Sequence, residues 1–329
     1  MIITRTPFRI SFAGGGSDLK EYYLHYGGAV LNTSIDKYVY LSMHPYFHED
    51  KFFLKYSENE YVDNVDTIKH KIIKQVLGDY KIKGIDFSSS ADVPAGTGLG
   101  SSSAFTAGLT TLCNAYINTY MNQEDIASYA CDVEINKLGA PIGKQDQYAC
   151  SIGGLNFIKF NQNDTVSVEK ILLRSDKLHE LEDRLIMFYL GKTRSANRIL
   201  SEQKTAIMTS KDKIRNLHSM VNLAEELKIE LQNSNIDSMG EILHRGWIYK
   251  KELATKISDD KIDYYYDLAI KNGATGGKLL GAGGSGFLLF YVSKEKQELV
   301  RKSLFELKEL QFKFDSEGTK VIYYNTNRH

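Results

Sequence analysis

The sequence predicts an α+β protein in two domains. Three observations point there. The chain has 329 residues, enough for two hydrophobic cores. Its N-terminal part alternates strand-like segments with helices. From Ser195 to Lys271 long charged helical stretches dominate, and mixed structure returns after them. That change of character sets the boundary at Gly191, giving domains over 1–190 and 191–329.

In chain order, Phe8, Ile10 and Phe12 alternate with Arg9 and Ser11, the period of a strand with one apolar face. The strand runs into the glycine turn "AGGGSD". Tyr38–Met43, Phe52–Tyr56 and Ile85–Ser90 read as further strands. Ile68, Ile72 and Val76 are spaced for a helix over Asp66–Leu77. A helix over Ala104–Tyr120 follows the serine run. Asn122 is placed to cap the next, Glu124–Leu138, which carries Glu124 and Asp125 in its first turn and which Gly139 ends. "GGLNFIKF", "VSVEKILL" and "RLIMFYLG" read as strands. In the second domain Trp247, spaced helically with Leu243, reads as core. The tail offers a glycine loop "GAGGSG", a strand "FLLFYV", a helix over Lys294–Leu310, and short strands at "FKFD" and "VIYY".

Composition narrows the function. Hydrophobic residues make up 42% and charged residues 25%, with Lys plus Arg and Asp plus Glu both at 41. No net field draws the chain to nucleic acid or to an anionic membrane. An anionic ligand must therefore be held by local geometry. Cys113, Cys131 and Cys150 are odd in number and widely spaced, and read as reduced buried thiols. The N-terminus lacks a signal-peptide pattern and no apolar run is long enough to span a bilayer, so the expectation is a cytoplasmic protein. Its expected partners are small molecules, with a second copy of the chain as a candidate homodimer.

The densest signal is Val93–Phe105, "VPAGTGLGSSSAF". Glycines let the backbone turn sharply and approach a ligand. The serines fall where a helix begins, and a helix N-terminus presents unpaired N–H groups and partial positive charge. A glycine turn at a helix start suits phosphate, and a serine hydroxyl there can ligate Mg²⁺. Ser101 follows Gly100 where a Walker loop needs lysine, and the Gly96–Gly98–Gly100 spacing is wrong for a dinucleotide fingerprint. A flexible linker or a close-packed turn is the bland alternative. Pro94 stiffens the approach to the loop. Further on, Glu134 lies on a predicted helix and Asp146 in a polar turn after Gly139, Pro141 and Gly143. Two carboxylates on separate elements suit separate jobs, one for a metal and one for a proton. Their bland alternatives are a solvated helix face for Glu134 and a helix N-cap for Asp146.

Three stretches together resemble the GHMP kinases, the family of galactokinase, homoserine kinase, mevalonate kinase and phosphomevalonate kinase. They are "TPFRISFAGGGSD" (Thr6–Asp18), "PAGTGLGSSSAF" (Pro94–Phe105) and "KLLGAGGSGFLLFY" (Lys278–Tyr291). The resemblance implies an N-terminal domain like the second domain of ribosomal protein S5 and a ferredoxin-like C-terminal domain, with ATP between them. It implies that Pro94, Gly96, Gly98, Leu99, Gly100, Ser101, Ser102 and Ser103 form the nucleotide loop, with Ser102 and Glu134 on Mg²⁺. It makes Asp146 the catalytic carboxylate and Arg9 its basic partner; a cation beside a carboxylate favours the ionised form. Ser17 and Asp18 would meet the sugar, Asp18 matching the acid that binds sugar hydroxyls in galactokinase. Gly15 and Gly16 stand where galactokinase carries Glu and His, opening space for a different sugar.

Within the family, "RTPFRISFAGGGSDL", "GKQDQYA" and "GKTRSA" look most like the branch that phosphorylates the anomeric O1 of manno-heptose 7-phosphate, on the way to nucleotide-activated heptose. A phosphorylated substrate also fits the cations of "GKTRSANR": Lys192, Arg194 and Arg198, with Thr193, open a predicted helix. Lys144 adds charge near Asp146. Gly283 and Gly284 of the third stretch are placed to line the sugar or close over the phosphoryl group. Asn32 and Tyr38 are the guesses for the adenine site. The alternatives are an L-fucose kinase or other anomeric sugar kinase, and a regulator that binds sugar and ATP without turnover.

Overall fold

The structure, a computed structural model, describes residues 1–48, 50–191 and 197–325. Its first elements are β1 (Ile2–Ala13), α1 (Lys20–Tyr26), β2 (Gly28–Pro45), β3 (Phe52–Lys55), β4 (Asn59–Val62), α2 (Lys71–Asp79), β5 (Ile85–Ala91), α3 (Ser101–Tyr116), α4 (Gln123–Cys131), α5 (Gln145–Ile152), β6 (Leu155–Phe160) and β7 (Val166–Lys170). There follow α6 (Ser175–Asp183), β8 (Leu185–Tyr189), α7 (Asn197–Thr209), α8 (Lys211–Gln232), α9 (Met239–Lys251), α10 (Asp260–Lys271), β9 (Ala274–Leu279), β10 (Phe287–Val292), α11 (Gln297–Ser303), β11 (Lys308–Glu309), β12 (Phe314–Asp315) and β13 (Lys320–Tyr324).

Two sheets organise the chain. The larger runs β13-β1-β2-β5-β3-β4, with β6 and β12 also on β2 and β7 on β6. Phe8, Ile10 and Phe12 of β1 enter its core, as their alternation predicts. Arg9 and Ser11, on the other face, are buried as well. The strand is covered on both sides, and its polar face looks into the site. The smaller sheet is antiparallel, in the order β11-β8-β10-β9. Counted from β8, that is 4-1-3-2, the ferredoxin-like order.

Sheet membership divides the chain differently from the boundary at Gly191. β8 already belongs to the second sheet, and β12 and β13 return to the first. Apolar runs alone do not say which sheet a strand joins.

Three expected helices change extent. The one expected over Asp66–Leu77 starts at Lys71, because the Glu60 carboxylate takes the N–H groups of Lys69 and His70 at 2.7 and 3.2 Å. α3 begins at Ser101, so all three serines lie in its first turn. The helix expected over Lys294–Leu310 stops at Ser303, and Lys308–Glu309 pairs with β8 instead.

Trp247 is fully buried in the second core. There α9 lies directly on β9: a Cβ on Gly276 would stand 1.8 Å from the Gly240 carbonyl oxygen. Neither backbone can yield cheaply, and overpacking costs about 1–3 kcal/mol. Gly276→Ala is expected to lower the urea midpoint by that much stability. An unchanged midpoint would show that α9 and β9 are not in backbone contact.

Candidate active site

Arg9 is the hub of the site. Its Nε and Nη2 donate to Asp146 Oδ1 and Oδ2 at 2.8 and 2.7 Å, a bidentate pair. Nη1 donates to the Gly98 carbonyl at 2.7 Å, and the Arg9 backbone N–H donates to the Leu99 carbonyl at 3.0 Å. Arg9 is only 3% exposed. Burial disfavours its charge, yet Asp146 more than compensates and pushes the guanidinium up from its ordinary value. Asp146 stands in the first turn of α5, where Gln145 Nε2 also donates to Oδ1 at 3.2 Å. Gln145 is itself fixed by Ser11 Oγ at 2.7 Å.

The two glycine loops press against each other. Gly96, Gly98 and Gly100 have φ of 76°, 81° and 79°, a region that L side chains avoid. A Cβ on Gly98 would sit 2.6 Å from the Leu280 carbonyl oxygen, and one on Gly281 would sit 2.4 Å from Gly98 Cα. Gly100 caps α3 with no side-chain bond, leaving the first-turn N–H groups to face a ligand. Gly96, Gly98, Gly100, Ser101, Ser102 and Ser103 line one cavity of about 750 Å³ with Asp146 and Glu134. Pro94 and Leu99 do not line it. Pro94 lends its carbonyl to Thr97 Oγ1, and the Leu99 side chain is core.

Glu134 is not a solvated helix residue. The helix through α4 continues as a π-helix over Asp132–Lys137. Single π-turns often mark functional sites. Glu134 is 2% exposed, on the helix face of the buried Ala127, Ala130 and Cys131. Its oxygens accept from Ser102 Oγ at 2.5 Å, Ser103 Oγ at 2.8 Å and Gln147 Nε2 at 2.7 Å. Burial raises its pKa, with Asp146 adding to the rise and the three donors opposing it.

Asp18 also lines the cavity. Its Oδ1 accepts from Gly16 N–H at 3.0 Å and Oδ2 from Gln145 N–H at 3.2 Å. Burial, then the nearby Asp146, raises its pKa. Gly15, Gly16 and Gly283 line the same cavity.

Several expected ligand residues turn out to be scaffold. Ser17 Oγ donates to the Gly14 and Ala29 carbonyls at 2.8 and 3.0 Å, which ties the first motif to β2. Lys144 turns away from the cavity because Asp164 takes its ammonium at 2.6 Å. Gly284 donates its N–H to the Ile257 carbonyl and does not line the cavity. Asn32 is wholly buried in the sheet, and Tyr38 donates to Asp315 Oδ2 at 2.9 Å. The apolar end of the cavity is built instead by Val39, Tyr56, His70, Ile72, Val93 and Phe105. The His70 and Phe105 rings lie 5.1 Å apart there. Lys192, Thr193 and Arg194 lie outside the described residues, and nothing is described of the Arg198 side chain.

Two buried lysines of the cavity also escaped the sequence reading. Lys250 and Lys278 are buried at 7% and 4% exposure and line the cavity. Lys278 Nζ donates to the Phe12 carbonyl at 2.9 Å, a bond from the second domain to β1. Lys250 follows Leu243 and Trp247 on the apolar face of α9. A lysine at that helical phase was the available signal.

Comparison with known proteins agrees with this geometry. The family descriptions "GHMP kinases N terminal domain" and "GHMP kinases C terminal" match residues 66–154 and 227–308. The chain is 32% identical to the D-glycero-alpha-D-manno-heptose 7-phosphate kinase of Campylobacter jejuni, covering 97% of this chain and 98% of that protein. A crystal structure of a D-glycero-D-manno-heptose 1-phosphate kinase from Bacteroides thetaiotaomicron superposes with a TM-score of 0.81 at 24% identity, covering 99% and 100% of the two chains. Galactokinase of Lactococcus lactis, solved with galactose, superposes at 0.76 with 16% identity, covering 97% and 94%. Both halves match in order on one continuous fold, and the chain belongs to the GHMP kinases.

Proposed function

We propose that the chain transfers the terminal phosphoryl group of ATP to the anomeric O1 of a D-glycero-D-manno-heptose 7-phosphate, giving the 1,7-bisphosphate. The observation that carries this reading is the Arg9–Asp146 pair held beside the open N-terminus of α3. The full-length likeness to a heptose 7-phosphate kinase supports the choice of sugar.

On this reading the α3 N-terminus and the 96–103 loop hold the triphosphate, and Tyr56, His70, Ile72 and Phe105 enclose the base. Asp146 takes the proton of the acceptor hydroxyl, in the orientation set by Arg9 and Gln145. Asp18 accepts hydrogen bonds from sugar hydroxyls. Lys192 and Arg194, with Thr193, meet the substrate's own phosphate. Phosphoryl transfer leaves little covalent work to the protein beyond positioning and charge stabilisation.

The donors near α3 fit Mg²⁺. Mg²⁺ takes one or two carboxylates and fills its shell with substrate phosphates and water. Glu134 is one buried carboxylate at the phosphate loop, bonded to the Ser102 hydroxyl. Glu134 and Ser102 would hold the ion, which supplies charge neutralisation between the nucleotide phosphates.

Asp146→Asn is expected to cut kcat by roughly 10²–10⁴ with ATP affinity little changed. Turnover near wild type, read by coupled ADP release, would remove Asp146 from the proton's path. Glu134→Gln is expected to move the Mg²⁺ titration of turnover to higher concentration; a superimposable titration contradicts its metal role. In a screen of manno-heptose 7-phosphate, fucose, galactose, mannose and mevalonate, the phosphorylated heptose is expected to give the highest kcat/KM. A neutral sugar winning that screen rejects the substrate assignment.

A further inference from the structure

Lys250 is a buried cation that the roles above leave unused. Its ammonium donates to the Leu279 carbonyl at 2.9 Å and to the Gly281 carbonyl. A third N–H remains, and among the described residues no carboxylate lies within ion-pair distance of it. An ammonium out of water with only carbonyl partners is under-compensated. It also lines the cavity. The backbone that anchors it is the one pressed on Gly98, while a Cβ on Gly100 would stand 3.2 Å from Arg9 Cγ and 3.5 Å from Asp146 Oδ2. Lys250 and the Arg9–Asp146 pair therefore flank the phosphate loop from opposite domains.

We propose that Lys250 is a further catalytic residue of the phosphoryl transfer, its free N–H meeting the oxygens of the phosphoryl group as it passes from nucleotide to sugar. This rests on the reading of the site given above. In the step, the bond from phosphorus to the ADP oxygen breaks as the bond to the sugar oxygen forms. The hydroxyl proton goes to Asp146, and Lys250 keeps its own protons. Negative charge spreads over the three equatorial oxygens, where a fixed donor in a site shielded from water stabilises it most.

The charges around Lys250 add a pH signature. Arg9 faces it from β1, Lys278 from β9 and Asp146 from α5. Burial first, then Arg9, brings the Lys250 pKa down to about 7, with Asp146 opposing. Lys250 thus loses its charge as pH rises through that value in the free enzyme. Bound phosphates favour the ammonium, so the loss shows in kcat/KM before kcat.

The test compares wild type, Lys250→Met and Lys250→Arg from about pH 6 to about pH 9, with nucleotide affinity measured separately. Lys250→Met is expected to lose about 10²-fold or more in kcat, with nucleotide affinity within a few-fold. Lys250→Arg, which stays charged, is expected to regain part of kcat and to lose the alkaline fall in kcat/KM. Wild-type kcat in Lys250→Met overturns the proposal, and so does an alkaline limb in Lys250→Arg identical to wild type. If Lys250→Met does not fold, the Lys250→Arg profile decides alone. An inactive Asp146→Asn beside an unimpaired Lys250→Met rejects only Lys250; an active Asp146→Asn rejects the underlying site.

Discussion

One guanidinium holds this site together. Arg9 divides its donors between the Asp146 carboxylate and the Gly98 carbonyl, while its backbone N–H holds Leu99. A central strand thereby holds two things in register, the Asp146 carboxylate and the loop at Gly98 and Leu99. Arg9 is buried, so removing Asp146 would leave its charge uncompensated. Ser11, two residues on along the same face of β1, does the same work for Gln145.

The second domain completes the site by close backbone approach. Gly98, Gly281 and Gly286 each sit where a Cβ would strike the opposing loop, at 2.6, 2.4 and 2.3 Å. These glycines are required by contact between loops as much as by ligand approach. Lys278 reaches across to Phe12, so the cavity wall is a joint product of both sheets. The chain is a sugar kinase of its family, and the apolar residues Tyr56, Ile72 and Phe105 and the polar Asp18 and Asp146 line one continuous cavity.

Much of this was legible in the sequence. The glycine–serine run announced a glycine turn opening a helix, and the strand period set Arg9 opposite the Phe8, Ile10 and Phe12 face. Legibility failed where long-range pairing decides. Glu60 intercepts the N–H groups that a longer α2 would have used, and nothing local predicts it. Asp164 captures Lys144, and Asp315 captures Tyr38, through side chains distant in sequence. Glu134 was singled out as one of two working carboxylates, while its phase with the buried Ala127, Ala130 and Cys131, which sets it on the core side, went unread. Lys250 was hidden among neighbouring lysines, although its phase with Leu243 and Trp247 sets it on the core side.

The central claim is that Arg9 acts on the reaction through Asp146. A double-mutant cycle on kcat with Arg9→Met and Asp146→Asn tests it most directly. The account predicts strong non-additivity, with most of the Arg9→Met loss vanishing once Asp146 is already Asn. Losses that simply multiply would contradict it, and would make the two side chains independent contributors.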